Sequence, residues 1–403
     1  MSTTRPRTAR RLAVAGVVFA SLTPVGVAAA SSEHEEPRLT GRAVLAATTE
    51  AEGPPSGLLA TPANGITFPR AMQPVIGFSA IVEGRRPGEW LAMPDNGYGG
   101  KAISGDFHIR AYYLRPDFKT AAGGSGDVEV GPFIEFTDPD HHLDFPLAKD
   151  TPERVLTGKD IDPESLQRAH DGTLWVGDEF GPWILHFDAE GRLLEPPHEI
   201  PGLQSPNNPH LGTATATVPN SGGFEAMGMS PNGRYLYPVL ERALVADAAA
   251  PFTRRVYEFD TRTGAFTHVA TYLTEVAGHF VADAQMLDPH RMLLIERDGG
   301  SGATALQRKV YEVDLRDVTA DGTLTTKTEV VDLAKIPDPD GVTQPEPGVI
   351  GLGDPYRVTC ESIEALRIIN HRNLLLGCDN NFPNAGRVPG VADDSEFITV
   401  RIP

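Results

Sequence analysis

Acidic residues recur in a fixed pattern along this sequence. Each copy reads acid, small residue, apolar run, turn, apolar run, acid, and the copies begin and end at Glu164 and Glu179, Glu225 and Glu241, Asp283 and Glu296, and Glu364 and Asp379. A degenerate first copy runs from Ser79 to Asp95. In the five copies, from Ser79 onward, the first and last positions are 16, 15, 16, 13 and 15 residues apart. That is the length of a β-hairpin with a carboxylate at the outer end of each strand, so the pattern predicts both a repeated fold and a site.

Carboxylates that converge in this way favour hard cations. Neighbouring like charges disfavour each other's ionisation, so a ring of acids needs a compensating positive charge. Ca²⁺ takes six to eight oxygen ligands and is the predicted cofactor. Zinc is not expected, because the repeats contain few histidines and two cysteines cannot form a tetrathiolate site. The alternative is structural: an acid bonds backbone amides or an arginine, such as Arg242 or Arg297, which directly follow Glu241 and Glu296.

We assign the site residues by chemical role. The predicted catalytic residues are Glu164, Glu179, Glu225 and Glu241. The predicted metal ligands are Asp95, Asp162, Asp178, Asp283, Glu296, Glu364 and Asp379. Lys101, Lys159 and Arg110 are predicted to bind an anionic substrate such as a phosphate ester. A metal-activated water is the predicted nucleophile, because the sequence has no Gly-x-Ser-x-Gly elbow and no HExxH, P-loop or dinucleotide motif.

The elements that must position these residues read as strands. Short apolar or alternating runs are separated by turn pairs such as Asp171-Gly172 and Asn232-Gly233, and long helical periodicity is absent. Several hairpins are followed by two more strands, which makes the four-stranded blade of a β-propeller. We predict an all-β propeller of five or six blades and favour six, with the sixth in 137–160 or 196–222. Leu39 to Ala47 is predicted to pair with Phe397 to Val400 and close the ring.

The N-terminus reads as an export signal. Residues 1–30 combine four arginines, a short apolar stretch and Ala28-Ala29-Ala30, which predicts a signal peptide and a secreted protein, exported by the Sec or the twin-arginine route. The apolar run is too short and interrupted for a membrane span. We expect residues 31–38 to be disordered and 39–403 to form one propeller domain. Cys360 and Cys378 lie in the two strands of the last hairpin, and we favour a disulfide between them over two buried thiols.

The net charge of the chain excludes one class of partner. The formal net charge is −19, with 54 acidic and 35 basic side chains. Such a surface repels nucleic acid, so we expect none as a partner. No other segment is apolar enough to cross a bilayer. We expect a monomer that binds a small anionic ester.

Three strings resemble a known family. They are DNGYGGK at 95–101, the segment 158–194 with its DIDPES and GDEFGP motifs, and GGFEAMGMSPNGRYLYPVLE at 222–241. Through these strings the chain resembles the phytase-like family, also described as "esterase-like activity of phytase". The resemblance extends from about Gly41 to Pro403. The resemblance implies a secreted bacterial β-propeller and hydrolysis of phosphate or other esters, and calcium follows by analogy with propeller phytases.

The expected function is therefore that of a secreted hydrolase acting on phosphate esters, or other esters, with Ca²⁺ at an acidic channel mouth. Two alternatives remain open from the residues. One is a non-catalytic extracellular propeller that binds a cation or ligand. The other is a sugar-lactone or quinone-dependent propeller enzyme.

Overall fold

The computed structural model of the protein describes residues 1–4, 36–149 and 151–403. The signal peptide predicted at 1–30 and most of the segment predicted to be disordered at 31–38 fall on residues 5–35, outside the described residues. The helices of the described part are two single 3₁₀ turns, Val245–Asp247 and Gly302–Thr304. Neither these nor any other described segment forms a helix of the length and apolarity that a membrane span requires.

Four sheets are built from four consecutive strands each. The first contains β4 (Phe78–Glu83), β5 (Trp90–Pro94), β6 (Arg110–Pro116) and β7 (Val128–Glu135). The second contains β8 (Pro163–Arg168), β9 (Leu174–Asp178), β10 (Trp183–Phe187) and β11 (His198–Glu199). The third contains β12 (Phe224–Met229), β13 (Tyr235–Leu240), β14 (Thr253–Asp260) and β15 (Ala265–Leu273). The fourth contains β16 (Phe280–Met286), β17 (Arg291–Arg297), β18 (Arg308–Asp314) and β19 (Thr328–Asp332).

The fifth sheet joins the two ends of the chain. It contains β20 (Ser362–Asn370), β21 (Asn373–Asp379), β22 (Ser395–Arg401) and, as its outer strand, β1 (Arg38–Leu45). β1 runs antiparallel to β22, with Ala43 opposite Phe397, which confirms the predicted closure. The predicted disulfide between Cys360 and Cys378 is also confirmed and links the start of this sheet to β21. A separate two-stranded sheet pairs β2 (Glu50–Ala51) with β3 (Gln73–Pro74).

The five sheets are the blades of a β-propeller. The innermost strands β4, β8, β12, β16 and β20 contact one another in cyclic order, and β20 returns to β4. The six-bladed form that we favoured is wrong: the described residues of segments 137–160 and 196–222 form no further four-stranded sheet, and the short β11 in the second segment completes an existing blade. Segment 137–160 is instead held by side chains, since Asp138 accepts hydrogen bonds from the amides of His142 and Leu143 and from Arg154.

Apolar side chains fill the spaces between neighbouring blades. One cluster joins Val82 and Leu91 of the first blade to Val176 and Leu185 of the second, all of them buried. Since each blade face is covered by the next blade, the strands are apolar on both faces and only their ends and the inner channel are open to polar chemistry.

A β-bulge marks the same place in every inner strand. The register with the second strand shifts between Phe78 and Ala80, Pro163 and Ser165, Phe224 and Ala226, Val281 and Ala284, and Ile363 and Ala365. The residues left over at these bulges include the first position of every repeat: Ser79, Glu164, Glu225, Asp283 and Glu364. A bulge redirects a side chain that regular pairing would hold in the sheet. The bulges of three inner strands in this way bring Glu164, Glu225 and Glu364 to one end of the channel.

Candidate functional site

Most of the predicted acids meet in one cavity. The cavity has a volume of about 310 Å³ and lies at one mouth of the channel. Eight acids named from the sequence line it: Asp95, Asp162, Glu164, Glu179, Glu225, Glu241, Glu364 and Asp379. Glu164, Glu225 and Glu364 come from the bulges of three inner strands, Asp162 directly precedes the inner strand β8, and the others end or follow the second strands of their blades. We call this cavity the acidic mouth.

Three groups of carboxylates are close enough to share a cation. Their oxygen atoms lie within 4.8 Å of one another in the triads Asp95–Asp162–Glu164, Glu164–Glu225–Glu364 and Glu179–Glu225–Glu241. All three triads contain only oxygen donors, which suit Ca²⁺ or Mg²⁺ and not a thiolate- or imidazole-bound metal. The residues present therefore fit a hard divalent cation.

The acids of the mouth hold protons more tightly than free carboxyls do. Burial raises the pKa of Glu164, Glu179 and Glu225 well above the usual value, and the charges of neighbouring carboxylates raise it further. The pKa of Asp95 and of Asp379 is raised for the same two reasons. Since both effects penalise negative charge, a bound cation would relieve them.

Two arginines supply part of the missing positive charge. Arg297 Nη2 lies 2.6 Å from Glu364 Oε1, 3.5 Å from Glu241 Oε1 and 3.8 Å from Glu225 Oε1. Arg242 Nε lies 3.0 Å from Glu241 Oε2. These arginines therefore form the structural ion pairs considered above, and they do so in the same cavity as the carboxylate triads.

A glycine makes room for two of the acids. Gly77 has a φ of +65° and directly precedes β4. A Cβ atom built on it would lie 2.8 Å from Asp95 Oδ1 and 3.3 Å from Asp379 Oδ1. Only glycine allows the backbone to approach these carboxylates so closely in this conformation.

Asp178 faces the backbone and not the cavity. Its Oδ1 accepts a hydrogen bond from the amide of Asp162 at 2.8 Å, and its Oδ2 accepts one from the amide of Gly181 at 2.6 Å. Both oxygens are therefore occupied, although Asp178 was predicted as a metal ligand. The carboxylate instead fixes the segment that carries Asp162 and the loop after β9.

Two further acids predicted as ligands are held away from the mouth. Asp283 accepts hydrogen bonds from the amides of Ala284 and of Leu366 in the next blade. Glu296 accepts four: from Tyr272 Oη at 2.5 Å, Lys327 Nζ at 2.6 Å, the Glu275 amide at 2.7 Å and His279 Nδ1 at 2.8 Å. Neither residue lines the acidic mouth. Their surroundings match the structural alternative.

The three basic residues predicted to bind the substrate do not lie together. Lys101 and Lys159 line a second cavity of about 640 Å³, and Asn96, Asp162 and Ser221 belong to both cavities. Lys101 Nζ donates to the carbonyl of Asn207 at 2.8 Å and lies 4.7 Å from the ring centre of Phe180. Burial lowers its pKa, against the opposing effect of Asp178. We call this second cavity the lysine pocket.

Arg110 belongs to a different place. Its Nη2 lies 2.7 Å from Glu135 Oε1, and its Nη1 donates to the carbonyl of Glu52 at 2.6 Å. It lines neither of the two cavities. Arg110 is close to Lys101 in the sequence but does not lie beside it in the structure.

Several residues of the mouth were not among those predicted. Asn96 donates its amide Nδ2 to Asp162 Oδ1 at 2.8 Å, and Ser221, Phe280 and Glu361 also line the cavity. An Asn-Gly pair is a turn signal, which explains the backbone at Asn96 and not the contact of its side chain. Ser221, in the loop before β12, has no pattern in the sequence that would have identified it.

Comparison with known proteins identifies a related family and distant relatives. A family model described as phytase-like, esterase-like activity of phytase, matches residues 73–382. A protein from Arthroderma benhamiae described as an uncharacterized secreted protein is 28% identical over 188 residues, which cover 36% of this chain and 36% of that protein. The chain thus matches about a third of the length of that relative.

Solved structures are similar only at a low level. A protein of unknown function from Dyadobacter fermentans has a TM-score of 0.42 and 12% identity, over 92% of this chain and 100% of that one. A protein from Lactobacillus plantarum has a TM-score of 0.32 and 13% identity, over 82% and 75%.

Proposed function

The chain belongs to the phytase-like family, described by its esterase-like activity of phytase, and from that premise we propose that it is an extracellular, calcium-dependent hydrolase of phosphate esters. One observation carries the proposal. The acidic mouth, which fits a hard cation, adjoins the lysine pocket, which fits an anion, and the two cavities share lining residues. An ester whose phosphate lies at this junction would contact both a cation and two ammonium groups.

The cation is assigned to the triad Asp95–Asp162–Glu164. Its oxygens lie within 4.8 Å of one another, and it is the triad next to the lysine pocket through Asp162. A bound Ca²⁺ would supply charge neutralisation at the phosphoryl oxygens and a lower pKa for a water molecule. Asn96 and the carboxylate of Asp178 hold the side chain and the backbone of Asp162 in place for this role.

The remaining steps fall to side chains of the chain itself. Lys101 and Lys159 bind the phosphate oxygens as point charges. Glu179 is held by the Gly223 amide, which donates to its Oε1, and takes a proton from the attacking water, whose oxygen forms the new bond to phosphorus. The P–O bond to the alcohol breaks, and the leaving oxygen takes a proton from Lys101, whose lowered pKa makes it a better acid.

An ester panel tests the proposal. Protein freed of metal by chelator is assayed against p-nitrophenyl phosphate, phytate, p-nitrophenyl acetate and a sugar lactone, with Ca²⁺ or with chelator. We expect release of phosphate that requires Ca²⁺. Turnover of none of the phosphate esters overturns the proposal. A Ca²⁺-dependent rise in melting temperature without turnover would favour the non-catalytic binding protein, and turnover of the lactone alone would favour the lactonase alternative.

A further inference from the structure

The acidic mouth is not uniformly supplied with positive charge. Among the described residues, its ion pairs with arginine all fall on Glu225, Glu241 and Glu364. Arg297 makes three of them through a single nitrogen atom, and its side chain is 6% exposed. A positive centre that touches three carboxylate oxygens within 4 Å occupies the position that a bound cation would take.

The opposite side of the mouth has no such group. In the part of the chain that the structure describes, no N–H or hydroxyl group donates to Glu164, which is 7% exposed and lines the cavity. Its neighbours Asp95 and Asp162 accept hydrogen bonds from the amide of Gly97 and from Asn96, and Glu164 itself bonds to the carboxylate of Asp162. Two buried carboxyl groups in contact bond to each other only by sharing a proton, and a divalent cation can take the place of that proton, so this is the side of the mouth open to an ion.

Arg297 is fixed in place and does not act as a mobile counter-ion. The ring of Phe280 lies against two guanidinium groups, with its centre 4.8 Å from Arg297 and 4.7 Å from Arg242. Arg297 Nη2 keeps the short contact to Glu364, whose other oxygen accepts from Ser79 Oγ at 3.2 Å. A metal ion would have to displace this packed arrangement to reach Glu225, Glu241 and Glu364 together.

We propose that Arg297 takes the place of a second cation and limits the acidic mouth to one divalent ion, bound at Asp95–Asp162–Glu164. The inference rests on the proposed function for the presence of that ion. A second ion at Glu225, Glu241 and Glu364 would meet the guanidinium charge at contact distance and lose oxygens that Arg297 already holds. Removal of the guanidinium charge therefore opens a second site in the same protein.

The number of bound ions tests this inference. Metal-free protein is titrated with CaCl₂ by calorimetry, and the bound ions are counted by native mass spectrometry. We expect one ion in the wild type, two in Arg297→Met, and one in Arg297→Lys, which keeps the charge. Arg242→Met is the matched control, because Arg242 also packs on Phe280 and pairs with Glu241 alone; it should bind one ion.

The outcomes separate this inference from the proposed function. Two ions in the wild type, or one in Arg297→Met, overturns the inference and leaves the calcium site intact. No ion in either protein overturns both. If Arg297→Met does not fold in Ca²⁺, two variants of the wild type decide: Glu164→Gln should lose the ion and Glu241→Gln should keep it. The reverse pattern overturns the inference.

Discussion

Asp178 holds the backbone of Asp162: its Oδ1 accepts the amide N–H of that residue at 2.8 Å. One of the predicted metal ligands thus supports another. The second oxygen of Asp178 accepts from Gly181 at 2.6 Å, and the side chain is fully buried. Burial raises the pKa of Asp178 to about 7, even though the two amides favour the ionised form. Asp178 is therefore a positioning residue for the proposed calcium site.

Asp178→Asn should destabilise the fold. The asparagine NH₂ group would face one of the two amide donors, so one buried N–H loses its acceptor at a cost of about 1–3 kcal/mol. Urea unfolding at pH 8 measures the change. Asp171→Asn is the control, because Asp171 also accepts a backbone amide but in an exposed turn. An unchanged free energy of unfolding in Asp178→Asn would contradict the structural role.

The stability of the metal-free protein should fall as the pH rises. Burial and like charge raise the pKa of Glu164, Glu179 and Glu225 well above the usual value of about 4.3. Between the usual and the raised pKa, the folded state binds more protons than the unfolded state, so the free energy of unfolding decreases with pH. In chelator, the melting temperature should drop from pH 5 to pH 8.

Calcium should reverse most of that drop, because the cation binds the ionised carboxylates of the folded state. Melting curves in excess Ca²⁺ over the same pH range make the comparison. A melting temperature in chelator that rises with pH, or an equal drop with and without Ca²⁺, would contradict the assignment of these acids.

Glu296→Gln should weaken the fold and leave calcium binding intact. Glu296 is 2% exposed and accepts hydrogen bonds from Tyr272, Glu275, His279 and Lys327. Removal of its charge leaves Lys327 without its buried partner, at a cost of about 3 kcal/mol. Unfolding in urea and calorimetric titration with Ca²⁺ measure the two properties separately. Loss of calcium binding in a folded Glu296→Gln protein would place this acid in the site after all.

Lys101→Met should weaken the binding of charged esters and should also slow the hydrolysis of those whose alcohol needs a proton to leave, which p-nitrophenol does not. Methionine keeps the apolar stem against Phe180 and removes the ammonium group that we assign to the phosphate. Loss of one charged contact should raise KM for a phosphate ester about tenfold. KM for p-nitrophenyl acetate, if that ester is turned over, should not change. The control is Lys335→Met, whose side chain is 69% exposed outside both cavities. Equal KM values for p-nitrophenyl phosphate in wild type and Lys101→Met would remove Lys101 from the substrate site.

Spacing predicted the convergence of the acids because the pleat of a hairpin fixes where its ends lie. It did not predict which side chains turn away. The repeat from Asp283 to Glu296 is the shortest, at 13 residues. There the bulge leaves out two residues, Ala282 and Asp283, where the other inner strands leave out one. Asp283 then bonds backbone amides, so the odd spacing was the available signal.

The number of blades could not be predicted from local sequence patterns. A sixth blade in 137–160 or 196–222 was compatible with the length of those segments. Their polar side chains instead bond the chain locally, as Asp138 does with Arg154 and the amides after it. The closure of the ring through β1 was predictable, because both terminal segments are apolar and an open edge is unfavourable.

The rate of phosphate release in three matched proteins decides whether the acidic mouth is a catalytic calcium site. Wild type, Glu164→Gln and Glu296→Gln are assayed with p-nitrophenyl phosphate in saturating Ca²⁺, each shown to be folded. We expect the wild type and Glu296→Gln to release phosphate at similar rates and Glu164→Gln to be slower by about 10²-fold, the loss typical of one removed electrostatic contact. A wild-type rate in Glu164→Gln, or no phosphate release by the wild type, would contradict the account.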